Sequence, residues 1–205
     1  MQKDIYIVGI AGRSCSGKST LARELHENFG SASIHINVDK FFIRSAEFNC
    51  KNPTIEESSA IKEISTKLRK LKNGGSVDFS IFDCRKKRNL NMEPRHYDPA
   101  KFIIVEGTLV LWDKEMRDLI DLKVFVDVPN EVCLQRRLER ELKNKQEGTA
   151  VYEEAKKHVL DRWKIIFEQW DSYLQSTSVY ANITIPHLER GFNKVLSAIN
   201  NLQAI

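Results

Sequence analysis

Apolar and polar positions along the chain repeat with two periods. Short apolar runs at about Asp4 to Ile10, Ser33 to Val38, Phe102 to Val105 and Leu122 to Val126 are bounded by polar turns and predict strands. Phe102 to Val105 is continuous enough to read as a central parallel strand. Between the runs, apolar residues recur three and four apart and predict amphipathic helices. Lys18 to Phe29 carries Leu21, Ala22 and Leu25 on one side. About Thr54 to Lys72 carries Ile61, Ile64, Leu68 and Leu71, with Thr54-x-x-Glu57 after Pro53 as a capping box and Gly74-Gly75 as its stop. Further helices are predicted at about Asp113 to Ile120, Pro129 to Lys145, Val151 to Leu174 and Leu188 to Leu202. The stripe Val159, Trp163, Ile166, Trp170 and Leu174 on the longest of these reads as core. Val77 to Phe82 predicts a short strand opening a polar loop or hairpin up to about Pro99, and Asn182 to Ile185 a last edge strand. This alternation predicts an α/β fold with a doubly wound parallel sheet.

The junction of the first strand and first helix reads Gly12-Arg13-Ser14-Cys15-Ser16-Gly17-Lys18-Ser19-Thr20. This is G-x-x-x-x-G-K-S, the phosphate-cradling loop. Its glycines let backbone N–H groups close around an anion, and the helix that follows offers its positive end. Lys18 supplies an ammonium for the β- and γ-phosphates, and the Ser19 hydroxyl is placed to ligate Mg²⁺. A nucleoside triphosphate site follows.

Composition adds limits. The chain has 205 residues, 41% hydrophobic and 29% charged, which predicts one soluble domain. A net charge of +4 is too slight to argue for a nucleic-acid or membrane partner, and a phosphorylated substrate suffices to explain it. Cys15, Cys50, Cys84 and Cys133 form no metal-ligand or disulfide pattern and read as reduced thiols. No signal-peptide pattern and no membrane-length apolar run is present, which predicts a cytoplasmic location.

In open α/β sheets ligands sit off the carboxyl ends of strands, where Asp39, Glu106 and Asp127 fall. Asp39 is a candidate base for an attacking hydroxyl in line with a γ-phosphate. Glu106 is a candidate Mg²⁺-associated acid, and Asp127, just before Pro129, reads as a helix cap. Arg136, Arg137 and Arg140 fall within about 100° of one helix face. Leu134, Leu138 and Leu142 lie about 150° round from them. A basic face beside an apolar one suits a lid closing over phosphates, with Arg136 and Arg140 toward the nucleotide. The alternative is a solvated face paired with Glu139 and Glu141. The run Arg85-Lys86-Lys87-Arg88 reads as a solvated loop, since it lacks the interleaved aromatics of a nucleic-acid patch.

Taken together, IVGIAGRSCSGKST, NVDKFF, FIIVEGTLVLWDKEMRDLIDLKVFVDVP with the following RRLERE, and YANITIP resemble the uridine kinase family of P-loop kinases. That family is related to nicotinamide riboside kinases and phosphoribulokinases. The resemblance covers Ile5 to about Pro186. It implies a three-layer αβα fold with a five-stranded parallel sheet in the order 2-3-1-4-5. It also implies a helical lid at about 136–165 and a substrate-side hairpin at about 76–99. The implied activity is transfer of the γ-phosphoryl of ATP, with Mg²⁺, to the 5′-hydroxyl of a ribonucleoside. Asp39 matches the family's general base in Asp-Ser-Phe-Tyr, and Phe42 matches its tyrosine. Glu106 matches the acid of Glu-Gly-Ile-Leu, Arg137 the substrate-side arginine, and Arg140 a lid arginine.

The departures fall where substrate choice is written. Lys51-Asn52-Pro53 stands where the family has the ribose-binding Asp-His-Pro, and Phe82-Asp83-Cys84 with Lys87 where it has Tyr-Asp-Phe and a His. Phe82 and Lys87 are therefore candidate substrate contacts with altered chemistry. The transfer machinery is intact while the uridine-reading residues largely are not. The acceptor stays open between uridine or cytidine and nicotinamide riboside or another ribose-like metabolite. A catalytically silent nucleotide-binding regulator is the reading of another class, against which Lys18, Ser19, Asp39 and Glu106 argue. The assembly state is left open, a homo-oligomer included.

Overall fold

The computed structural model describes residues 4–40, 55–79, 94–186 and 188–202. Strand β1 (Tyr6–Gly12) runs into helix α1 (Lys18–Phe29), followed by β2 (Ser33–Asn37) and a single 3₁₀ turn, Val38–Lys40. Helix α2 (Ile55–Lys72) leads to a two-stranded antiparallel ribbon, β3 (Val77–Phe79) with β4 (Arg95–Tyr97). Then come β5 (Phe102–Glu106), α3 (Lys114–Leu119), β6 (Leu122–Val126), α4 (Asn130–Leu142), α5 (Ala150–Ser176), β7 (Ile183–Ile185) and α6 (Leu188–Leu202).

The main sheet has the order β2-β5-β1-β6-β7, every neighbouring pair being parallel. The ribbon takes the numbers β3 and β4, so these labels differ from those of a count over the five parallel strands. Strand geometry sends successive side chains to opposite faces. Ile7 and Ala11 of β1, Ile103 and Val105 of β5 and Phe125 of β6 therefore join α2 and α3 in one core. Val8 and Ile10, Phe102 and Ile104, and Val124 and Val126 join α1 and α6 in the other. Three layers result. Because β1, β5 and β6 are covered on both faces, they read as near-continuous apolar runs rather than alternating ones.

Several predicted element ends shift. Asp113 caps α3, its side chain accepting from the Met116 N–H at 2.9 Å. The helix after Pro129 stops at Leu142 instead of Lys145, whose N–H turns back to the Leu142 carbonyl. Helix α5 starts with Thr149 as cap and runs past the predicted end to Ser176. The Thr54 capping box lies outside the described residues.

Trp163 on α5 is a core residue at 8% exposure and donates from Nε1 to Asn130 Oδ1 on α4 at 3.1 Å. Trp163→Phe keeps most of the packing and leaves that acceptor unpaired, so urea denaturation is expected to show a loss of about 1–2 kcal/mol. Among the described residues, no helix is long and apolar enough to cross a membrane.

Candidate active site

Strand β1 ends at Gly12, and register puts Ile10 and Asn37 on either side of Glu106. The loop after β1, Asp39 after β2 and Glu106 at the end of β5 thus meet at the carboxyl ends of neighbouring strands. Within the loop, Gly12 has φ +152° and Gly17 φ +102°, and a Cβ on Gly12 would stand 2.6 Å from the Val126 carbonyl. Gly12 thus packs directly against the backbone of β6, where no side chain fits. Cys15 takes the left-handed conformation too, at φ +64°. The Ser16 N–H closes back on the Arg13 carbonyl at 3.1 Å, and Gly17 is the N-cap of α1, at the helix end that favours an anion.

Lys18 is buried, and its ammonium bridges the Arg13 carbonyl at 3.3 Å and Asp39 Oδ2 at 3.5 Å. Asp39 is held from the other side by Thr108, whose N–H reaches Oδ1 at 2.7 Å and whose hydroxyl reaches Oδ2 at 3.2 Å. Gly107 makes this possible. A Cβ there would stand 2.5 Å from Val38 Cγ2 and 2.9 Å from Asp39 Oδ1. Gly107→Ala is therefore expected to displace the Val38–Asp39 turn and destabilise the fold by about 1–3 kcal/mol in urea denaturation.

Glu106 is fully buried. Its Oε1 accepts from the Asn37 amide on β2, and His35 Nε2 lies 3.8 Å away, an electrostatic contact too long for a hydrogen bond. Oε2 is buried with no partner among the described residues. Burial pushes the Glu106 carboxyl up, but His35, Lys18 and the Ser19 hydroxyl outweigh it, and its pKa falls below the ordinary value. Ser19 itself is exposed at the loop's mouth. An ionised carboxylate with one orphaned oxygen beside an exposed hydroxyl is a donor set that fits a hard cation. No cluster of three or more acidic, His or Cys ligands exists among the described residues, so Mg²⁺ would draw its remaining ligands from phosphate and water.

Two expectations change. Asp127 is not a helix cap, because α4 begins beyond it with Pro129 as cap and no side-chain bond. It pairs instead with Arg13, Nη1 to Oδ1 at 3.3 Å. The Arg13 side chain is committed away from the cradle: Nε and Nη2 fork onto Asp171 of α5 at 2.6 and 3.0 Å, and Nη1 also reaches the Val128 carbonyl. Burial alone would lower the Arg13 pKa, and the Asp171 and Asp127 carboxylates raise it overall. What Arg13 offers a phosphate is its backbone.

The arginine face divides. Arg136 lies over the loop, Nη1 to the Cys15 and Ser16 carbonyls at 3.4 and 3.3 Å. Arg137 and Arg140 pair with Glu141 at 3.3 and 3.7 Å. That is the solvated arrangement. Phe42, Phe82 and Lys87, with Lys51-Asn52-Pro53, Cys50, Cys84 and the run Arg85 to Arg88, lie outside the described residues.

Sequence reasoning missed Thr108, Asn37, His35 and Asp171. A hydroxyl directly after the Glu106-Gly107 strand end was a signal for Thr108. Asn37 and His35 needed the pairing of β2 with β5, and Asp171 lies 158 residues from its partner.

Among relatives, the uridine kinase of Pasteurella multocida (strain Pm70) is 32% identical, the alignment covering 97% of this chain and 91% of that one. Uridine kinase-like protein 3 of Arabidopsis thaliana is 28% identical over 88% of this chain, which spans only 39% of that longer protein. The D-glycerate 3-kinase of Cryptococcus neoformans var. grubii superposes with a TM-score of 0.57 at 15% identity, covering 83% of this chain and 80% of its own, and so shares the fold. The phosphoribulokinase/uridine kinase family model matches residues 7–191, a span that takes in nearly the whole sheet and each of the strand-end acids, and on that match the chain belongs to this family.

Proposed function

We propose that the protein is an ATP-dependent nucleoside kinase. The observation that carries this reading is the contact of Lys18 with Asp39 at 3.5 Å, which joins the phosphate loop to a carboxylate suited to be a base. The curated uridine kinases that cover nearly the whole chain support the same acceptor class.

ATP lies with its phosphates in the loop from Gly12 to Thr20, where backbone N–H groups and Lys18 neutralise them. The acceptor hydroxyl donates its proton to Asp39 Oδ2 as its oxygen bonds the γ-phosphorus. The bond from that phosphorus to the bridging oxygen breaks, and ADP leaves with the electron pair. Lys18 stabilises the charge growing on the bridging and γ-oxygens. Arg136 stands over the loop, and Arg137 and Arg140 exchange Glu141 for phosphate or substrate when the lid segment from about 136 to 165 closes. Ser19 and Glu106 would hold Mg²⁺, which would supply positive charge to offset that of the phosphates. The free thiols of Cys15 and Cys133 suit a reducing compartment, and the reading includes a cytoplasmic location.

An ADP-release assay against uridine, cytidine, nicotinamide riboside and other small ribosides is expected to show stimulation by a nucleoside. Tight ATP binding with stimulation by none of them would instead support a nucleotide-binding regulator.

A further inference from the structure

Building on the reading of Asp39 as the base, we propose that Thr108 is its positioning residue, holding the carboxylate in its reactive orientation after Lys18 has left it for the phosphates of ATP.

Asp39 Oδ1 accepts from the Thr108 N–H at 2.7 Å. Among the described residues, Oδ2 meets Lys18 Nζ at 3.5 Å and Thr108 Oγ1 at 3.2 Å. The ammonium is a temporary partner, since its role in the loop is to bind β- and γ-phosphates. Once it moves there, the terminal torsion of an aspartate, which is broad and two-fold, is held on the Oδ2 side by the Thr108 hydroxyl.

Thr108 is built for that task. Its N–H and hydroxyl form a two-point fork matching the two carboxylate oxygens. Its β-branched side chain is stiff about χ1, so the hydroxyl does not wander. Gly107 supplies the close approach, as any Cβ there would collide with Val38 and Asp39. The hydroxyl donates to one lone pair of Oδ2 and leaves the other for the acceptor's hydroxyl. Thr108 is only half-buried, so the fork stands at the edge of the cleft.

Steady-state ADP release is measured with uridine, cytidine or nicotinamide riboside as acceptor, whichever gives the fastest rate. Thr108→Val removes the hydroxyl while keeping shape and N–H. It is expected to lower kcat about 10- to 100-fold, with KM for the acceptor and the Kd for ATP within about twofold, as for a misplaced catalytic group. Thr108→Ser restores the hydroxyl and is expected to return kcat to within about threefold of wild type. Thr108→Ala is read beside Thr108→Val, so that a folded form of either decides. In the Asp39→Asn background, Thr108→Val is expected to add nothing, since the two act through one group. Wild-type kcat in the Val or Ala variant, or an equal further loss in the Asp39→Asn background, overturns the role of Thr108. Wild-type turnover in Asp39→Asn itself removes the base reading, and this proposal with it.

Discussion

Asp39→Asn is expected to lower kcat by about 10²- to 10⁴-fold while the Kd for ATP stays within a few-fold of wild type. The replacement is nearly isosteric. The Asn side-chain oxygen can still accept from the Thr108 N–H that now reaches Oδ1 at 2.7 Å, so the turn after β2 is retained. What disappears is the group proposed to take a proton from the attacking hydroxyl, together with a negative charge 3.5 Å from Lys18. Loss of that charge frees Lys18 for phosphate, which keeps nucleotide affinity from falling. Single-turnover rates alongside ATP titration separate the two effects. Near wild-type turnover would show that the proton goes elsewhere.

Lys18→Ala carries the second large effect, an expected loss of about 10³-fold or more in kcat/KM for ATP. Lys18 is buried, and its ammonium is matched by the Arg13 carbonyl and Asp39. Removing it leaves the transferring phosphoryl group without the cation placed at the loop's centre. It also leaves Asp39 and Glu106 close to the phosphates with less positive charge between them, since Lys18 is one of the groups lowering the Glu106 pKa. Circular dichroism should show a retained fold, because the backbone of the loop is set by Gly12, Gly17 and the start of α1. Turnover near the wild-type rate would dismantle the transfer scheme.

Local features proved legible in the sequence and distant ones did not. The helix of the phosphate loop spans Lys18–Phe29, the bounds its apolar spacing predicts. The strands before Gly12, Asp39 and Glu106 fall where apolar runs meet polar turns. Spacing alone put three arginines on one face of α4. It did not say that Arg136 would touch the loop while Arg137 and Arg140 turned to Glu141, because that depends on how α4 is docked. Asp127 was misread for a related reason. A carboxylate before Pro129 resembles a cap, but its partner Arg13 comes from β1 through parallel pairing with β6.

By itself, then, the sequence determined the anion cradle and the elements around it, since turn chemistry and periodicity act over a few residues. It also determined which acids end strands. Only the tertiary structure decided which of these groups meet. Strand order brings β2 and β5 side by side, so that Asn37 holds Glu106 and Thr108 holds Asp39. The chain crosses the sheet before α5 returns Asp171 to Arg13, spending that side chain on the scaffold and leaving Lys18 as the cation within the loop. These contacts join residues far apart in the chain. They form because burying both faces of the sheet settles which strands are neighbours, and no local pattern carries that information.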